Sequence, residues 1–244
     1  IFTATYNGFA NNENFATAGI WGGPSFTANA NMLSPVGNYT ITTSTGTLAS
    51  ANYYFAFVNG KLTINKATLT VTVENKNKIY GEANPDFSVS YSGFQNNEIL
   101  ANSGVTGTPA YSTLATISSG VGEYSVSANL GSLAAKNYDF AFVTGKLAIG
   151  KATLTISAQD ATKKYGDLNP VLAASITGFV NNETLASSGL KGQPAVSTQV
   201  NAFTPVGTYD IEASIGSMSS DNYTFAFEKG KFAVTKATVV VIAD

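Results

Sequence analysis

The chain has 244 residues and a net charge of -2; 44% of its residues are hydrophobic and only 11% are charged. It contains no Cys and no His, which excludes disulfides, thiolate or imidazole metal sites and His-based catalysis. Because the charges nearly balance and no apolar run approaches the roughly 20 residues of a membrane span, neither nucleic-acid binding nor membrane insertion is expected.

Short strands with alternating apolar and polar residues are predicted along the chain. In chain order they include 87–92, 108–113, 122–129, a strand with Tyr138, Phe140 and Phe142 on one face, 146–149 and 153–158. Thr144-Gly145 predicts a hairpin turn leading into 146–149, with Leu147 and Ile149 facing inward. Only 97–103 has a helical pattern, and it is barely two turns long.

Three copies of one pattern follow each other at an offset of 85 residues. Gly-Phe-x-Asn-Asn-Glu occurs at 8–13, 93–98 and 178–183, and Asn-Tyr occurs at 52–53, 137–138 and 222–223. The predicted boundaries are 1–65 for a first copy lacking its first strand, 66–150 and 151–235 for the next two, and 236–244 for the first strand of a following copy or a donor strand. Since no Gly/Ser/Pro linker separates the copies, an elongated, semi-rigid rod is expected.

The number and spacing of the strands predict an all-β fold, a tandem array of three small Ig-like β-sandwich repeats. The alternative is a β-grasp-like repeat in which the short helix lies on one sheet. Five aromatic residues recur in each copy and are predicted to form its core; in the second copy they are Phe94, Tyr124, Tyr138, Phe140 and Phe142.

A string of motifs resembles the MBG repeat domain of YGX type, which occurs in tandem in secreted bacterial surface proteins, including filamentous-haemagglutinin-like adhesins. The motifs are Tyr80-Gly81-Glu82-Ala83-Asn84-Pro85, Tyr91-Ser92-Gly93-Phe94, Val121-Gly122-Glu123-Tyr124, Lys146-Leu147-Ala148-Ile149 and Lys151-Ala152. The resemblance implies an extracellular, adhesion-associated protein at the cell surface. The first copy departs from it, because nothing before Ile1 matches Tyr80-Gly81.

The Asn-Asn-Glu triplet has two interpretations. Its oxygen atoms make Asn12, Glu13, Asn97, Glu98, Asn182 and Glu183 weak candidates for a Ca²⁺ site. Alternatively, the Asn caps the short helix and the Glu lies near the positive end of that helix. No paired acids are found, so we predict no catalytic residue, no cofactor and no enzymatic activity.

Two further features have open interpretations. Lys66, Lys151 and Lys236 recur at the junctions and are either solvated or joined to an Asn by an internal isopeptide bond. Trp21, which Thr106 and Lys191 replace in the other copies, is either packed locally or a contact for a partner.

The leading functional hypothesis is a structural stalk in a bacterial adhesin. The alternatives are repeats that bind host or surface glycans or matrix, and a filament subunit whose partners are other copies of itself rather than adjacent repeats of one polypeptide. For the filament, 237–244 is the predicted donor strand, with Val239, Val241 and Ala243 on one face; it would complete the first copy of a neighbouring chain.

Overall fold

In the computed structural model, which describes residues 1–243, every regular element is a β-strand. The first copy has β1 Ile20–Trp21, β2 Ser25–Ala28, β3 Gly37–Ser44, β4 Ala49–Ser50 and β5 Gly60–Ile64. The second has β6 Ala67–Val73, β7 Lys76–Ile79, β8 Val89–Ser92, β9 Ala110–Thr113, β10 Gly122–Asn129, β11 Tyr138–Val143 and β12 Gly145–Gly150. The third has β13 Ala152–Ala158, β14 Ala161–Lys164, β15 Ala174–Thr177, β16 Ala195–Thr198, β17 Gly207–Ser214, β18 Tyr223–Glu228 and β19 Gly230–Thr235.

These strands divide between two compact units. The first unit comprises 1–72, 90–110 and 128–143, and the second comprises 73–89, 111–127 and the described residues from 144 onward. The second copy therefore contributes residues to both units. Within residues 1–243 no helix is long and apolar enough to cross a lipid bilayer.

The third copy, which lies wholly in the second unit, is a β-sandwich of two sheets. One sheet has the order β15-β13-β18 and the other the order β14-β19-β17-β16. β13 pairs in parallel with β18, and β14 continues the chain into the other sheet and pairs in parallel with β19. The first two strands of the copy, β13 and β14, thus lie in different sheets, as in Ig-like sandwiches.

Aliphatic side chains fill the sandwich because the strands alternate between apolar and polar residues. Leu154, Ile156 and Ile211 are completely buried, while Thr155 and Ser157, the alternate residues of β13, are half-buried. Each such buried side chain stabilises the copy by about 1.5–3 kcal/mol. Of the five aromatics predicted to form the core of the second copy, only Tyr138 is fully buried, and the others are half-buried. The prediction of an aromatic core is therefore corrected.

The predicted hairpin at Thr144-Gly145 is wrong. β11 pairs in parallel with β6, whereas β12 pairs antiparallel with β10 and parallel with β7. Thr144 alone separates the two strands, which is too short for the two-residue loop of a tight hairpin. The strand itself is as expected, because Leu147 and Ile149 are buried.

The predicted helix at 97–103 is also absent. Asn96 and Asn97 have φ of 54° and 59°, in the left-handed region, so the chain cannot enter a right-handed helix there. A single turn follows, in which the Ser103 amide donates to the Ile99 carbonyl at 3.0 Å. Asn97 is therefore not a helix cap, and the helix that a β-grasp fold requires is missing from the described residues.

The first copy forms the sheet β2-β3-β5 and the small pair β1-β4. Residues 53–58, which match β11 and β18 in sequence, form no strand. β11 and β18 each pair in parallel with the first strand of their own copy, β6 and β13. No equivalent of that first strand pairs with 53–58 within the described residues.

Candidate functional site at the joints between copies

A hydrogen-bonded cluster recurs where the Asn-Asn-Glu loop meets the Asn-Tyr pair of the same copy. In the third copy Asn181 and Asn182 have φ of 54° and 58°, a left-handed pair that Asn tolerates better than most residues. The Tyr223 hydroxyl accepts the Val180 amide at 3.1 Å and donates to Glu183 Oε2 at 2.5 Å. Matching bonds link Tyr138 with Glu98 and Tyr53 with Glu13.

At the second joint, which lies within the second unit, a tyrosine from the preceding copy joins this cluster. Tyr80 donates its hydroxyl to Glu183 Oε1 at 2.5 Å, and its ring meets that of Tyr223 edge-on, with centroids 5.6 Å apart. Both rings are almost fully buried, at 4% and 1% exposure. One carboxylate of the third copy therefore binds two phenols, one from each copy.

The cluster holds its phenols in the neutral form. The hydrogen bond to Glu183 and burial together raise the pKa of the Tyr80 phenol. Burial, followed by the bond to Glu183, raises the pKa of the Tyr223 phenol to about 12. Both groups therefore remain hydrogen-bond donors throughout the neutral pH range.

Gly81 lets Tyr80 approach the third copy. Its φ is +88°, and a Cβ placed on it would lie 2.5 Å from the Val180 Cβ, so a larger residue would clash there. The backbone beside it is fixed by Lys78, whose buried ammonium donates to the carbonyls of Glu82 at 2.9 Å and Thr116 at 2.7 Å. Burial lowers the pKa of this lysine.

Asn222 makes a further contact at the second joint. Its Oδ1 accepts the Val121 amide at 3.0 Å, and its carbonyl accepts the Ala152 amide at 3.0 Å. Asn137 does the same at the first joint, within the first unit, where it accepts the amides of Val36 and Ala67 at 3.1 and 3.0 Å. The side chains of Asn222 and Asn137 thus link their copies to the one before, while their carbonyls bind the first strand of their own copy.

The first joint differs in having a cleft where the second joint has Tyr80. The cleft has a volume of about 210 Å³ and is lined by Met32, Leu33, Val36, Ile64, Glu98 and Tyr138, among others. Tyr138 matches Tyr223 in sequence and Glu98 matches Glu183, so the lining is the counterpart of the groups that surround Tyr80. Among the described residues, only Tyr138 hydrogen-bonds to the Glu98 carboxylate.

The structure assigns the candidate Ca²⁺ ligands to these clusters. Glu13, Glu98 and Glu183 each accept a tyrosine hydroxyl, and the adjacent Asn residues shape the loop through their left-handed backbone. No group of three or more acidic residues that could hold a metal ion occurs in the part of the chain that the structure describes.

The junction lysines contact backbone carbonyls. Lys66 Nζ lies 3.2 Å from the Ala135 carbonyl and 3.3 Å from Asp139, and Lys151 Nζ donates to the Ser220 carbonyl at 2.8 Å. The isopeptide hypothesis expected a bond to an Asn side chain, and neither nitrogen has one as its partner. Lys236 lies exposed beyond β19.

Two other candidates lie at the surface. Trp21 pairs with Ala49 in β1-β4, yet its side chain is 58% exposed, so local packing does not bury it. Val239 and Val241 of the predicted donor strand are 84% and 91% exposed, and residues 237–243 form no strand. Asp244, the last residue of that prediction, lies outside the described residues.

The family motif that contains Tyr80 and Gly81 gives neither residue a role at a joint. The contact between Tyr80 and Glu183 spans 103 positions, so no local pattern indicates it. The one sequence signal for this site is the fixed offset of the Asn-Asn-Glu and Asn-Tyr motifs. Motifs that recur at a fixed offset indicate that each joint is built from the same residues.

Comparison with known proteins gives one strong similarity. The sequence model of the MBG domain (YGX type) matches residues 1–63, 69–148 and 154–233. No curated protein matches the chain. The match to a solved structure of Drosophila N-cadherin EC1-3 covers 86% of this chain and 80% of the cadherin chain, with 8% sequence identity and a TM-score of 0.24. No conclusion about fold or function follows from a TM-score that low.

Proposed function

Because the chain belongs to the MBG domain family of YGX type, we propose that it is a structural stalk segment of a bacterial cell-surface adhesin, located outside the cell. In this role it is not an enzyme. It holds another part of the protein away from the cell surface, and its copies resist bending at their joints.

The observation that supports this proposal most is the second joint. The Tyr80 hydroxyl, the Glu183 carboxylate and the Tyr223 ring combine groups from two copies in one buried cluster. A second contact, from the Val121 amide to Asn222, also joins the two copies at this junction. Two separate contacts across one short junction restrict its bending more than one contact would.

Small-angle X-ray scattering of the 244-residue chain tests the proposal. A compact chain of this length has a radius of gyration of about 18 Å. We expect a clearly larger radius of gyration for the unmodified chain. In the Tyr80→Ala variant the radius of gyration should change again, because the second joint loosens. Tyr165→Ala is the matched control, because Tyr165 holds the equivalent position in the third copy and is 46% exposed. A radius near 18 Å for the unmodified chain contradicts the stalk.

A second candidate is a filament subunit that donates a strand. It is supported by residues 53–58, which form no strand, and by 237–243, whose sequence matches β6 and β13 but which form no strand either. In the proposed filament, 237–243 of one chain pair in parallel with 53–58 of the next. Deleting 237–244 should abolish end-to-end association in analytical ultracentrifugation. A full chain that stays monomeric at high concentration contradicts this candidate.

Binding of host or surface glycans is supported by less. Trp21 is an exposed aromatic side chain, but Thr106 and Lys191 take its place in the other copies. A repeated glycan site would need the same aromatic in every copy, so the stalk is the better supported proposal.

A further inference from the structure

The first and last strands of the third copy run side by side in both of its sheets. β13 pairs in parallel with β18, where Ala152 lies opposite Tyr223, and β14 pairs in parallel with β19, where Ala161 lies opposite Phe232. In both sheets the partner residue lies 71 positions further along the chain. Six residue pairs in one sheet and four in the other therefore follow one register, which joins the beginning of the copy to its end.

The register is kept where both strands pass from one sheet to the other. There the Lys231 amide donates to Asp160 Oδ1 at 2.6 Å, so a side chain provides the acceptor between β13 and β14. Gly230 allows the close approach of the two strands, because a Cβ on it would lie 2.5 Å from the Ala158 carbonyl oxygen. The first and last segments of the copy thus stay bonded through the crossing.

Backbone hydrogen bonds hold both ends of this pairing. At its beginning the Ala152 amide donates to the Asn222 carbonyl at 3.0 Å, and at its end the Tyr165 amide donates to the Thr235 carbonyl at 2.9 Å. The second copy has the same parallel pairs, β6 with β11 and β7 with β12. The pairing is therefore a property of the repeat and not of one copy.

We propose that the paired first and last segments are a mechanical clamp, which lets a copy carry a pulling force without unfolding. The proposal rests on the stalk function, since a stalk is under tension when the part it holds is pulled away from the cell. A force along the chain enters the third copy at Lys151, directly before β13, and leaves it at Lys236, directly after β19. It pulls the first segment backward and the last segment forward, along the direction of both strands.

Parallel pairing makes this direction of pulling the resistant one. The hydrogen bonds of the pair are all loaded at the same time, so the strands slide past each other only when many bonds break together. A force applied at the same end of both strands breaks the bonds one after another instead. Sliding would also move Leu154 and Phe232, which are completely buried, out of the core. Because forced unfolding is governed by the unfolding rate, the clamp slows unfolding under load.

Pulling single molecules from different attachment points tests the clamp. The chain has no Cys, so an introduced pair gives unique attachment points in the full 244-residue chain. Lys151→Cys with Lys236→Cys loads the clamp along its length, whereas Lys151→Cys with Asp221→Cys loads it from one end, and all three positions are exposed. At equal pulling speed we expect an unfolding force at least about twofold higher for the first pair. An equal or lower force for the first pair overturns the proposal.

Two substitutions separate the clamp from general stability. Asp160→Ala removes the acceptor of the Lys231 amide inside the clamp. Thr198→Ala, the matched control, removes a hydroxyl that donates to the Asp210 carbonyl at 2.9 Å between β16 and β17, outside the clamp. With the first pair of attachment points, Asp160→Ala should lower the unfolding force and Thr198→Ala should leave it unchanged, while urea denaturation measures the equilibrium stability of both variants.

The outcomes for the clamp and for the stalk are distinct. An unfolding force of Asp160→Ala that is no lower than that of Thr198→Ala overturns the clamp. A compact chain in small-angle scattering contradicts the stalk but leaves the force difference between the two attachment pairs unaffected.

Discussion

The first and second joints share an Asn-Tyr pair but differ in what lies beside it. At the second joint Tyr80 fills the space and shares Glu183 with Tyr223. At the first joint the same space is a cleft, and Glu98 is bound by Tyr138 alone. The comparison separates what a copy provides for its own fold, the Tyr-Glu bond, from what it provides for its neighbour, the Tyr-Gly turn.

The largest effect is expected from Tyr223→Ala at the filled joint. Tyr223 is 1% exposed and contacts Tyr80, Phe179 and Glu183. Removing a large buried ring should lower the free energy of unfolding by about 3–5 kcal/mol in urea denaturation. Tyr53→Ala in the half-buried cluster of the first copy is the control and should cost less than half as much. Equal losses would show that the neighbouring copy adds nothing.

Gly81→Ala should be the next most harmful change. Gly81 and Gly166 have φ of +88° and +90°, so both substitutions impose the same backbone strain. Only at Gly81 does the added Cβ meet another residue, Val180, whereas nothing lies within 4 Å at Gly166. The difference between the two variants in urea denaturation isolates that clash and should be about 1–3 kcal/mol. Identical losses would mean that Val180 moves aside freely.

Tyr80→Phe removes one hydroxyl and retains the ring. Glu183 Oε1, on a partly buried carboxylate, then loses its donor, which should cost about 1–3 kcal/mol. Tyr165→Phe at the matching, 46% exposed position should change the free energy of unfolding by less than about 0.5 kcal/mol. Differential scanning fluorimetry of both variants measures the contrast. A shift for Tyr165→Phe as large as that for Tyr80→Phe would contradict it.

The filled joint should also respond to alkaline pH. The pKa of Tyr223 is raised from 10.0 to about 12, so the folded chain retains a proton that the unfolded chain loses. This contribution to stability is fully present below about pH 10 and is lost as the pH rises to about 12. Tyrosinate absorbance followed together with circular dichroism should show Tyr223 ionising last. In Glu183→Gln the ionisation should move to lower pH, and an unchanged titration would rule out the hydrogen bond as a cause.

The smallest effect concerns a charge pair that, among the described residues, is present at the first joint and not at the second. Lys66 lies 3.3 Å from Asp139, whose side chain is 73% exposed, and Thr224 holds the matching position at the second joint. Asp139→Thr should therefore cost no more than about 1 kcal/mol, and nothing at about 1 M salt. The reverse change, Thr224→Asp, should give an equally small gain by adding a carboxylate near Lys151. A salt-independent loss in thermal denaturation would contradict a surface ion pair.

Local patterns predicted the strands well where alternation is strong. The strand Gly122–Asn129 was predicted with its observed bounds, because polar and apolar residues alternate along it. At 108–113 the strand begins only at Ala110, directly after Pro109, which has no amide hydrogen to donate. The hairpin at Thr144-Gly145 failed because β11 and β12 each pair with strands distant in sequence. The helix failed because two adjacent Asn residues adopt a backbone conformation that composition does not indicate.

The candidate site was predictable only in part. The recurrence of Asn-Asn-Glu and Asn-Tyr at a fixed offset pointed to the right residues but not to their contact. Glu183 faces the phenol of its own copy, Tyr223, as Glu98 and Glu13 face theirs. The second phenol at Glu183 comes from Tyr80 of the preceding copy, whose backbone is positioned by the buried Lys78. Such a contact between copies is set by tertiary packing over about a hundred residues, and the sequence of one copy does not contain it.

The division of each joint between two copies has a genetic consequence. Every complete 85-residue period contains both a Tyr-Gly turn for the copy that follows and an Asn-Asn-Glu loop for the copy before it. An in-frame duplication of one period therefore adds a joint with both of its halves already present. Deletion of one period rejoins two halves that match. Unequal recombination between copies can thus change the length of the array in whole steps without leaving an unmatched surface inside it.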